Sequence, residues 1–429
     1  MDAKTRPLGW SLLVAGIIAG SSGVRAQDLS SYFPQGVPGY DVPGPKVLAR
    51  PRPLYDAAGA RAGDFLLYPH LDLGVGYDSN VLGGNPAQGS WLLGTHGSVL
   101  ASSDWSRNSV GAYVSVDNLR ALNLPSQSRT DWTGSVGGTL DVGRDRLTLA
   151  AAHLSLHQDR TSIDALPTDQ PVAYQVNDFR TNFVHTFDRL SVTPSLEASS
   201  YRFGSATTLG VPTPQSDRDR NVLQGGVAAS YEVAPERAVM VVVRGLGSIY
   251  TSPQPGAPTR NSDGVVALSG INYGSANWGL RLLGGWEQRN FQAPQYQSHG
   301  AAVVEMDANW SPSGLTTITG TLTRSIEDAA QEGVAGYTYT SARLAIDHEY
   351  LRNVLLHGGA SVQRAVFLQG DGAQTSYSVA AGVTWLMNRR MRISATEALT
   401  DLRSTQGQPA SLGGSYVRAV TLLTLGLGL

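Results

Sequence analysis

The stretch that most restricts how this chain can fold is FLLYPHLDLGVGYDSNV, residues 65–81. Its odd-numbered positions from 67 to 77 are apolar, whereas the even-numbered positions are polar or small, with His70, Asp72 and Asp78 among them. Successive side chains of a β-strand point to opposite faces, so this segment is predicted to be a strand with one apolar and one polar surface. A similar pattern recurs about eighteen times along the chain, which is typical of a transmembrane β-barrel.

The connections between the predicted strands alternate between short, about three to six residues, and long, about eight to fifteen, as periplasmic turns and extracellular loops do. Aromatic residues such as Trp91, Trp278 and Trp385 lie near strand ends, where interfacial girdles need them. We therefore predict an all-β fold over residues 63–429, a closed antiparallel transmembrane β-barrel of about 18 strands, with 16 as the alternative. Residues 417–429 must then pair with the first strand, because an open sheet edge cannot be left in lipid.

Composition agrees with a lipid-exposed barrel. Only 15% of residues are charged, below the roughly 25% usual for soluble domains. After the N-terminal segment, no part of the chain contains the about eighteen consecutive apolar residues of a transmembrane helix. A soluble all-β sandwich or propeller is the alternative fold, and it would dissolve without detergent. Residues 147–157 form a predicted strand whose apolar face cannot be assigned from the sequence.

Residues 1–26 have the pattern of a cleaved secretory signal peptide. Lys4 and Arg6 provide a positive start, residues 9–20 form a short apolar core, and residues 24–26 are a small-x-small cleavage site. The alternative is a membrane anchor, for which the apolar core is short. We expect the mature chain to be exported to the outer membrane of a Gram-negative bacterium.

Residues 27–62 differ from the rest because proline is frequent, as in the segment ARPRPLYD. Proline at this density interrupts both helices and β-ladders. We predict an extended arm that either lies in the periplasm or folds into the mouth of the barrel. A disordered leader is the other interpretation.

Charged residues on the polar strand faces come nearest to a functional site in this sequence. In a barrel they would face the lumen, where mixed rings of charge hold water and select solutes by size and sign. The alternative, which we favour for any single residue, is that they pair across strands and brace the wall. The lumen-facing candidates are Asp72, Asp178, Arg180, Glu197, Arg281, Glu287, Arg289, Glu305, Asp307, Arg343 and Asp347.

The sequence contains no strong catalytic or cofactor motif. It has no Cys, which excludes disulfides, Cys-ligated zinc and Cys nucleophiles, and the formal net charge of −2 provides no basic surface for nucleic acid. Carboxylate pairs such as Glu305 and Asp307 share a strand face, but a water-filled lumen does not raise a carboxyl pKa as acid catalysis requires. The eight His residues lack metal-ligand spacing, and no Ser lies in a GxSxG motif. We therefore expect no enzyme activity, cofactor or metal.

Residues 50–81 carry three short motifs, which are RPRPxYD, GxF-x-LYP and YDSNV. In these motifs the chain resembles the putative beta-barrel porin 2 family of outer-membrane proteins. Leu54, Ala58 and Ala60 depart from the residues expected there. The resemblance implies an outer-membrane barrel with no catalytic residues, and it implies export of exopolysaccharide because several relatives are linked to that process.

Three functions are consistent with these observations. The first is a channel for exopolysaccharide export, with outer-membrane lipid, a polysaccharide and periplasmic export proteins as its partners. The second is a general porin or a small-solute diffusion channel. The third is a structural or adhesive surface barrel that does not conduct. The sequence does not define the solute, the pore radius, gating or the oligomeric state.

Overall fold

The computed structural model describes residues 36–40, 47–48, 50–331, 333–370, 372–405 and 414–429. The predicted signal peptide, residues 1–26, lies outside the described residues, as does part of the predicted arm. No helix in the described part of the chain is long and apolar enough to cross a membrane.

One antiparallel sheet of 19 strands dominates the fold. One of its strands, Ala60–Ala62, is only three residues long and pairs with the start of the first long strand. The other strands form the barrel wall, in agreement with the prediction of 18 strands rather than 16. In chain order they are β1 (Phe65–Asp78), β2 (Ser90–Ser103), β3 (Ser109–Ala121), β4 (Arg129–Val142), β5 (Asp145–Gln158), β6 (Val172–Phe187), β7 (Leu190–Phe203), β8 (Arg220–Ala234), β9 (Arg237–Tyr250), β10 (Ser262–Gly274), β11 (Trp278–Phe291), β12 (His299–Ser313), β13 (Thr316–Asp328), β14 (Gly336–Leu351), β15 (Val354–Phe367), β16 (Ala373–Leu386), β17 (Met391–Ser404) and β18 (Tyr416–Gly428).

The sheet closes into a ring because β18 pairs with β1. Leu427 lies opposite Leu71, Leu425 opposite Leu73 and Leu423 opposite Val75. Every other strand pairs with its neighbours in the chain, so the wall has no open edge. The predicted closed antiparallel barrel is confirmed, and the sandwich or propeller alternative is wrong.

Side chains alternate between the two faces of the wall as the sequence predicts. On β1 the apolar residues Leu71, Leu73 and Val75 are exposed on the outer face, whereas Asp72 and Asp78 are buried on the inner face. Exposed apolar rows of this kind continue around the barrel, for example at Val379 on β16. An outer surface of aliphatic and aromatic side chains is suited to the hydrocarbon layer of a membrane.

The connections are short at one end of the barrel and long at the other. Residues 143–144, 188–189 and 314–315 are short turns at one end, which we call the short-turn end. Residues 159–171 and 204–219 are long connections at the opposite end, the long-loop end. In outer-membrane barrels the short turns face the periplasm and the long loops face the exterior.

The sequence does not show which face of β5 is apolar, and in the structure it is the inner face. Ala150, Ala152, Leu154 and Leu156 are buried on its inner face. The outer face carries His153, whose Nδ1 lies 2.7 Å from Asn177 Oδ1 of β6. The alternation is therefore reversed in this part of the wall, because here the inside is packed against other residues instead of water.

The lipid-facing outer surface can be tested with two neighbouring residues of β16. Val379 is exposed on the outer face near mid-strand, and Ala380 is the next residue on the inner face. We expect Val379→Arg to destabilise the folded barrel by ~2–4 kcal/mol, because it places a charge at mid-membrane depth. Ala380→Arg, the matched control, is expected to cost less than ~1 kcal/mol, because its charge is hydrated in the lumen. Unfolding titrations in lipid vesicles measure the difference, and equal losses would contradict the assignment of faces.

Candidate functional site: the barrel interior

Asp72 of β1 forms a buried ion pair with Arg392 of β17, which is two strands away around the ring. Arg392 Nη2 of β17 lies 3.1 Å from Asp72 Oδ2, and His70 Nε2 lies 2.8 Å from the same oxygen. The pair spans β18 at Gly426, where a Cβ would lie 2.6 Å from Asp72 Oδ1 and 2.5 Å from Arg392 Nε. Glycine at this position allows the two charges to meet.

Asp178, Arg180 and Glu197 come together on the inner face of β6 and β7. Arg180 Nε lies 2.9 Å from Asp178 Oδ1, and its Nη2 lies 3.1 Å from Glu197 Oε1. Ser199 Oγ donates a hydrogen bond of 2.8 Å to Asp178 Oδ2. This cluster is formed because Arg180 and Glu197 are direct register partners.

Arg281, Glu305 and Asp307 form a second group on β11 and β12. Arg281 and Asp307 are register partners, and Arg281 Nη2 lies 3.7 Å from Glu305 Oε2. Glu305 also pairs with Arg244 of β9. Sequence reasoning missed Arg244, although its alternation with outward-facing valines was a usable signal.

Glu287 and Arg289 hold the long-loop end of β13 against β11. Glu287 Oε2 accepts a hydrogen bond of 3.1 Å from the backbone N–H of Ile326. Arg289 Nη2 lies 2.5 Å from Asp328 Oδ1, and Arg220 of β8 pairs with the other carboxylate oxygen at 3.0 Å. These charges brace the wall where β13 leaves the regular ladder.

The last two candidates lie on β14 and have different surroundings. Asp347 Oδ1 is 2.6 Å from His357 Nδ1 on the neighbouring strand. Arg343 is exposed and has no ion pair or hydrogen bond with the residues that the structure describes. Among the described residues, six candidates form cross-strand ion pairs with Arg, Asp or Glu, whereas Glu287, Asp307 and Arg343 form no ion pair; the six are Asp72, Arg180, Glu197, Arg281, Arg289 and Glu305.

The long connection between β5 and β6, residues 159–171, reaches the opposite side of the barrel. We call this segment the strap. Its Ile163 is buried in a cluster formed by inner-face residues of β14 to β18 and their loops, about half-way around the ring. The cluster includes Tyr337, Tyr339, Phe367, Leu402 and Tyr416.

Polar contacts hold the strap in this position. Asp164 has a left-handed backbone conformation with φ of 59°. Its backbone N–H donates a hydrogen bond of 2.8 Å to Gln374 Oε1, and its Oδ2 accepts a hydrogen bond of 2.7 Å from the N–H of Ala330. Tyr416 Oη donates to the carbonyl oxygen of Thr161 at 2.5 Å. The strap therefore lies across the long-loop end of the lumen.

The described part of the arm lies across the short-turn end. Val47 and Leu48 pack against Leu355 and Leu386 of the wall. Arg52 is buried and its Nη2 lies 2.7 Å from Glu349 Oε2 on β14. Nothing in the local sequence around Glu349 distinguishes it from other inner-face carboxylates, so sequence reasoning missed this pair.

Residues 36–40 of the arm lie deeper in the lumen. Tyr40 Oη donates a hydrogen bond of 2.8 Å to Asp178 Oδ1, and the Arg180 guanidinium lies 5.0 Å from the centre of the Tyr40 ring. Burial and the neighbouring Asp178 carboxylate raise the pKa of Tyr40, so its hydroxyl remains a hydrogen-bond donor. Val37 and Tyr40 pack against the apolar inner wall of β5 to β7.

Two wall glycines make room for this part of the arm. Gly111 of β3 and Gly137 of β4 are register partners. A Cβ at Gly137 would lie 1.9 Å from the Pro38 carbonyl oxygen, and a Cβ at Gly111 would lie 2.4 Å from that of Gly36. The wall is therefore shaped to the backbone of the arm.

This geometry defines a class of protein: a closed transmembrane β-barrel whose interior holds a strap at one end and an arm at the other. More specifically, the chain belongs to the putative beta-barrel porin 2 family, whose model matches residues 52–422. It is accordingly an outer-membrane barrel, with the short-turn end in the periplasm and the long loops outside.

Solved structures with the same type of fold share little sequence with this chain. The FrpB iron transporter of Neisseria meningitidis (F5-1 variant, apoprotein form) is 9% identical over 83% of this chain and 66% of its own length, with a TM-score of 0.45. The outer membrane protein OpdK of Pseudomonas aeruginosa is 11% identical over 85% of this chain and 99% of its own, with a TM-score of 0.42. The siderophore receptor PirA of the same species is 8% identical over 86% and 81%, with a TM-score of 0.42. No curated protein matches the chain.

The fit between arm and wall can be tested at two adjacent residues of β4. We expect Gly137→Leu to displace residues 36–40 from the lumen, because even a Cβ there overlaps the Pro38 carbonyl. The matched control is Gly138→Leu, which faces outward and whose Cβ would meet its nearest atom, Ser109 O, at 3.4 Å. Because the chain lacks Cys, a single Val37→Cys reporter measures displacement as faster maleimide labelling. Equal labelling rates in the two variants would show that the wall does not hold the arm.

Proposed function

We propose that this protein is a gated outer-membrane channel for uncharged, polyhydroxylated solutes, and that its role is export of exopolysaccharide. One observation carries the gating proposal. The interior is bridged at the outer end by the strap, through Ile163, and occupied at the periplasmic end by the arm, through Arg52 and Tyr40. Transport requires both segments to move.

The chemistry of the wall supports an uncharged solute. Inner-face carboxylates such as Asp72, Asp178 and Glu305 are each paired with an arginine. Opposite charges held close together produce little net field in the lumen, so neither cations nor anions gain much by entering. Hydroxyl-rich molecules can exchange hydrogen bonds with such a wall without charge matching.

The position of the arm supports export rather than simple diffusion. Its residues Arg50 and Arg52 form ion pairs with Glu349 at the periplasmic mouth. Arg389, in a short turn, donates a hydrogen bond of 2.6 Å from Nε to the carbonyl oxygen of Pro53. A periplasmic export protein that binds the arm would withdraw it and open the mouth. A small-solute diffusion channel is the second candidate, favoured by the exposed lumenal Arg343, and a non-conducting surface barrel is the third.

Conductance in planar bilayers tests gating. We expect the wild-type barrel to conduct little, whereas Ile163→Asp should increase open probability severalfold because a carboxylate cannot remain in the aromatic cluster. The control is Leu122→Asp on the connection between β3 and β4, where the side chain is 54% exposed. Deletion of residues 27–62 should raise conductance further. A barrel that remains closed in both variants would favour the non-conducting alternative.

Deletion of the gene tests the solute. Export of exopolysaccharide predicts that surface polymer is lost while its precursors still accumulate. Normal surface polymer together with slower uptake of a small sugar would contradict export and support the diffusion channel.

A further inference from the structure

Three arginines form a row on the outer face of the barrel, away from the lumen. Arg324 of β13 lies opposite Thr340 of β14, and Thr340 lies opposite Arg364 of β15. Arg364 is paired with Thr375 of β16, which is opposite Arg403 of β17. We call these five residues the arginine row. Because neighbouring strands are about 4.8 Å apart, successive arginines are spaced by roughly 10 Å along one level of the wall.

The row faces the membrane side of the wall. Arg364 has the same strand phase as Val366 and Leu356, which are exposed on the outer face, and the opposite phase to the buried Ala365 and Phe367. Arg403 shares its phase with the exposed Leu399. All three arginines are exposed, so their guanidinium groups are accessible from outside the barrel.

The depth of the row matches the boundary of the outer leaflet. Arg403 is one residue from the long-loop end of β17, and its guanidinium lies 5.6 Å from the centre of the exposed Tyr377 ring. Four residues further into the membrane, Leu344, Val379 and Leu399 form an exposed aliphatic belt at one level of register. An aromatic residue between charges and an aliphatic belt is the arrangement of a membrane interface.

The row retains positive charge after its own contacts are counted. Arg403 Nη2 pairs with Asp401 at 2.8 Å on the same face. Arg324 donates to the Ala302 carbonyl at 3.0 Å and to Thr340 Oγ1 at 3.0 Å, which are neutral acceptors. Arg364 has no ion pair or hydrogen bond with any residue in the described ranges. One carboxylate therefore faces three guanidinium groups.

We propose that the arginine row binds the phosphate groups of a phosphorylated lipid in the outer leaflet, with its acyl chains against the Leu344–Val379–Leu399 belt. Arginine forms bidentate hydrogen bonds with phosphate, and the threonine hydroxyls between the arginines can donate to further phosphate oxygens. The spacing of roughly 10 Å suits a headgroup that carries two separated phosphates. A soluble solute in the lumen cannot reach this surface, because the wall lies between them.

Retention of lipid by the folded, detergent-solubilised mature barrel tests this proposal. The probe is diphosphorylated lipid A at fixed concentration, measured by native mass spectrometry. We expect Arg364→Gln to weaken retention roughly tenfold, as loss of a charge-assisted contact predicts, and the triple variant with Arg324→Gln and Arg403→Gln to abolish it. Arg364→Lys should retain part of the binding, because it keeps the charge but loses the bidentate geometry.

The matched control is Arg343→Gln, which removes an exposed arginine from the inner face of β14 and should leave retention unchanged. Fully dephosphorylated lipid A should bind weakly, and inorganic phosphate at the same concentration should not compete. Wild-type retention in the Arg364→Gln variant would overturn the proposal, as would equal binding of the dephosphorylated lipid. Displacement of the lipid by inorganic phosphate would show that the arginine row binds a free anion, and it would overturn the proposal as well.

Discussion

Ring closure between β1 and β18 is the interaction on which the rest of this structure depends. A backbone N–H or C=O without a partner in hydrocarbon costs several kcal/mol, so a sheet can remain in a membrane only when its first and last strands are joined. Closure also fixes the register, and a shift by one residue would turn Asp72 into lipid and Leu73 into the lumen. The two faces of every other strand follow from this constraint.

Because the outer face contacts lipid, the charges of the wall lie inside, and those that are buried there need partners. Asp72 reaches Arg392 across Gly426, and Asp178 is shared among Arg180, Ser199 and Tyr40. Such pairs contribute little net stability where water reaches them, but an unpaired buried charge would be costly. Where the inner face carries buried charges, groups of opposite sign therefore lie close together.

The strands, the closed ring and the inner location of the charges could be predicted, because each depends on a two-residue period that the sequence displays directly. Pairing between Arg180 and Glu197 could not, since it depends on the register of two strands, nor could contact of Asp72 with Arg392, separated by 320 positions. The packing partners of Ile163 could not be predicted either, because a polar loop has no periodicity to indicate which part of the wall it contacts. The apolar inner face of β5 resisted prediction for a related reason, since it packs against the arm and distant wall residues that the local sequence does not reveal.

Under the gating proposal the strap moves while the barrel wall stays intact, and Ile163 is its largest apolar contact. Burial of one isoleucine side chain contributes about 1.5–3 kcal/mol. The hydrogen bonds of Asp164 would be exchanged for bonds to water at small net cost. A solute that binds only the open lumen stabilises that state by about 2.7 kcal/mol at a hundred times its Kd. Solute binding at that degree of saturation is therefore comparable with the packing of Ile163. The wall, held by a continuous ladder of backbone hydrogen bonds, stays closed around it.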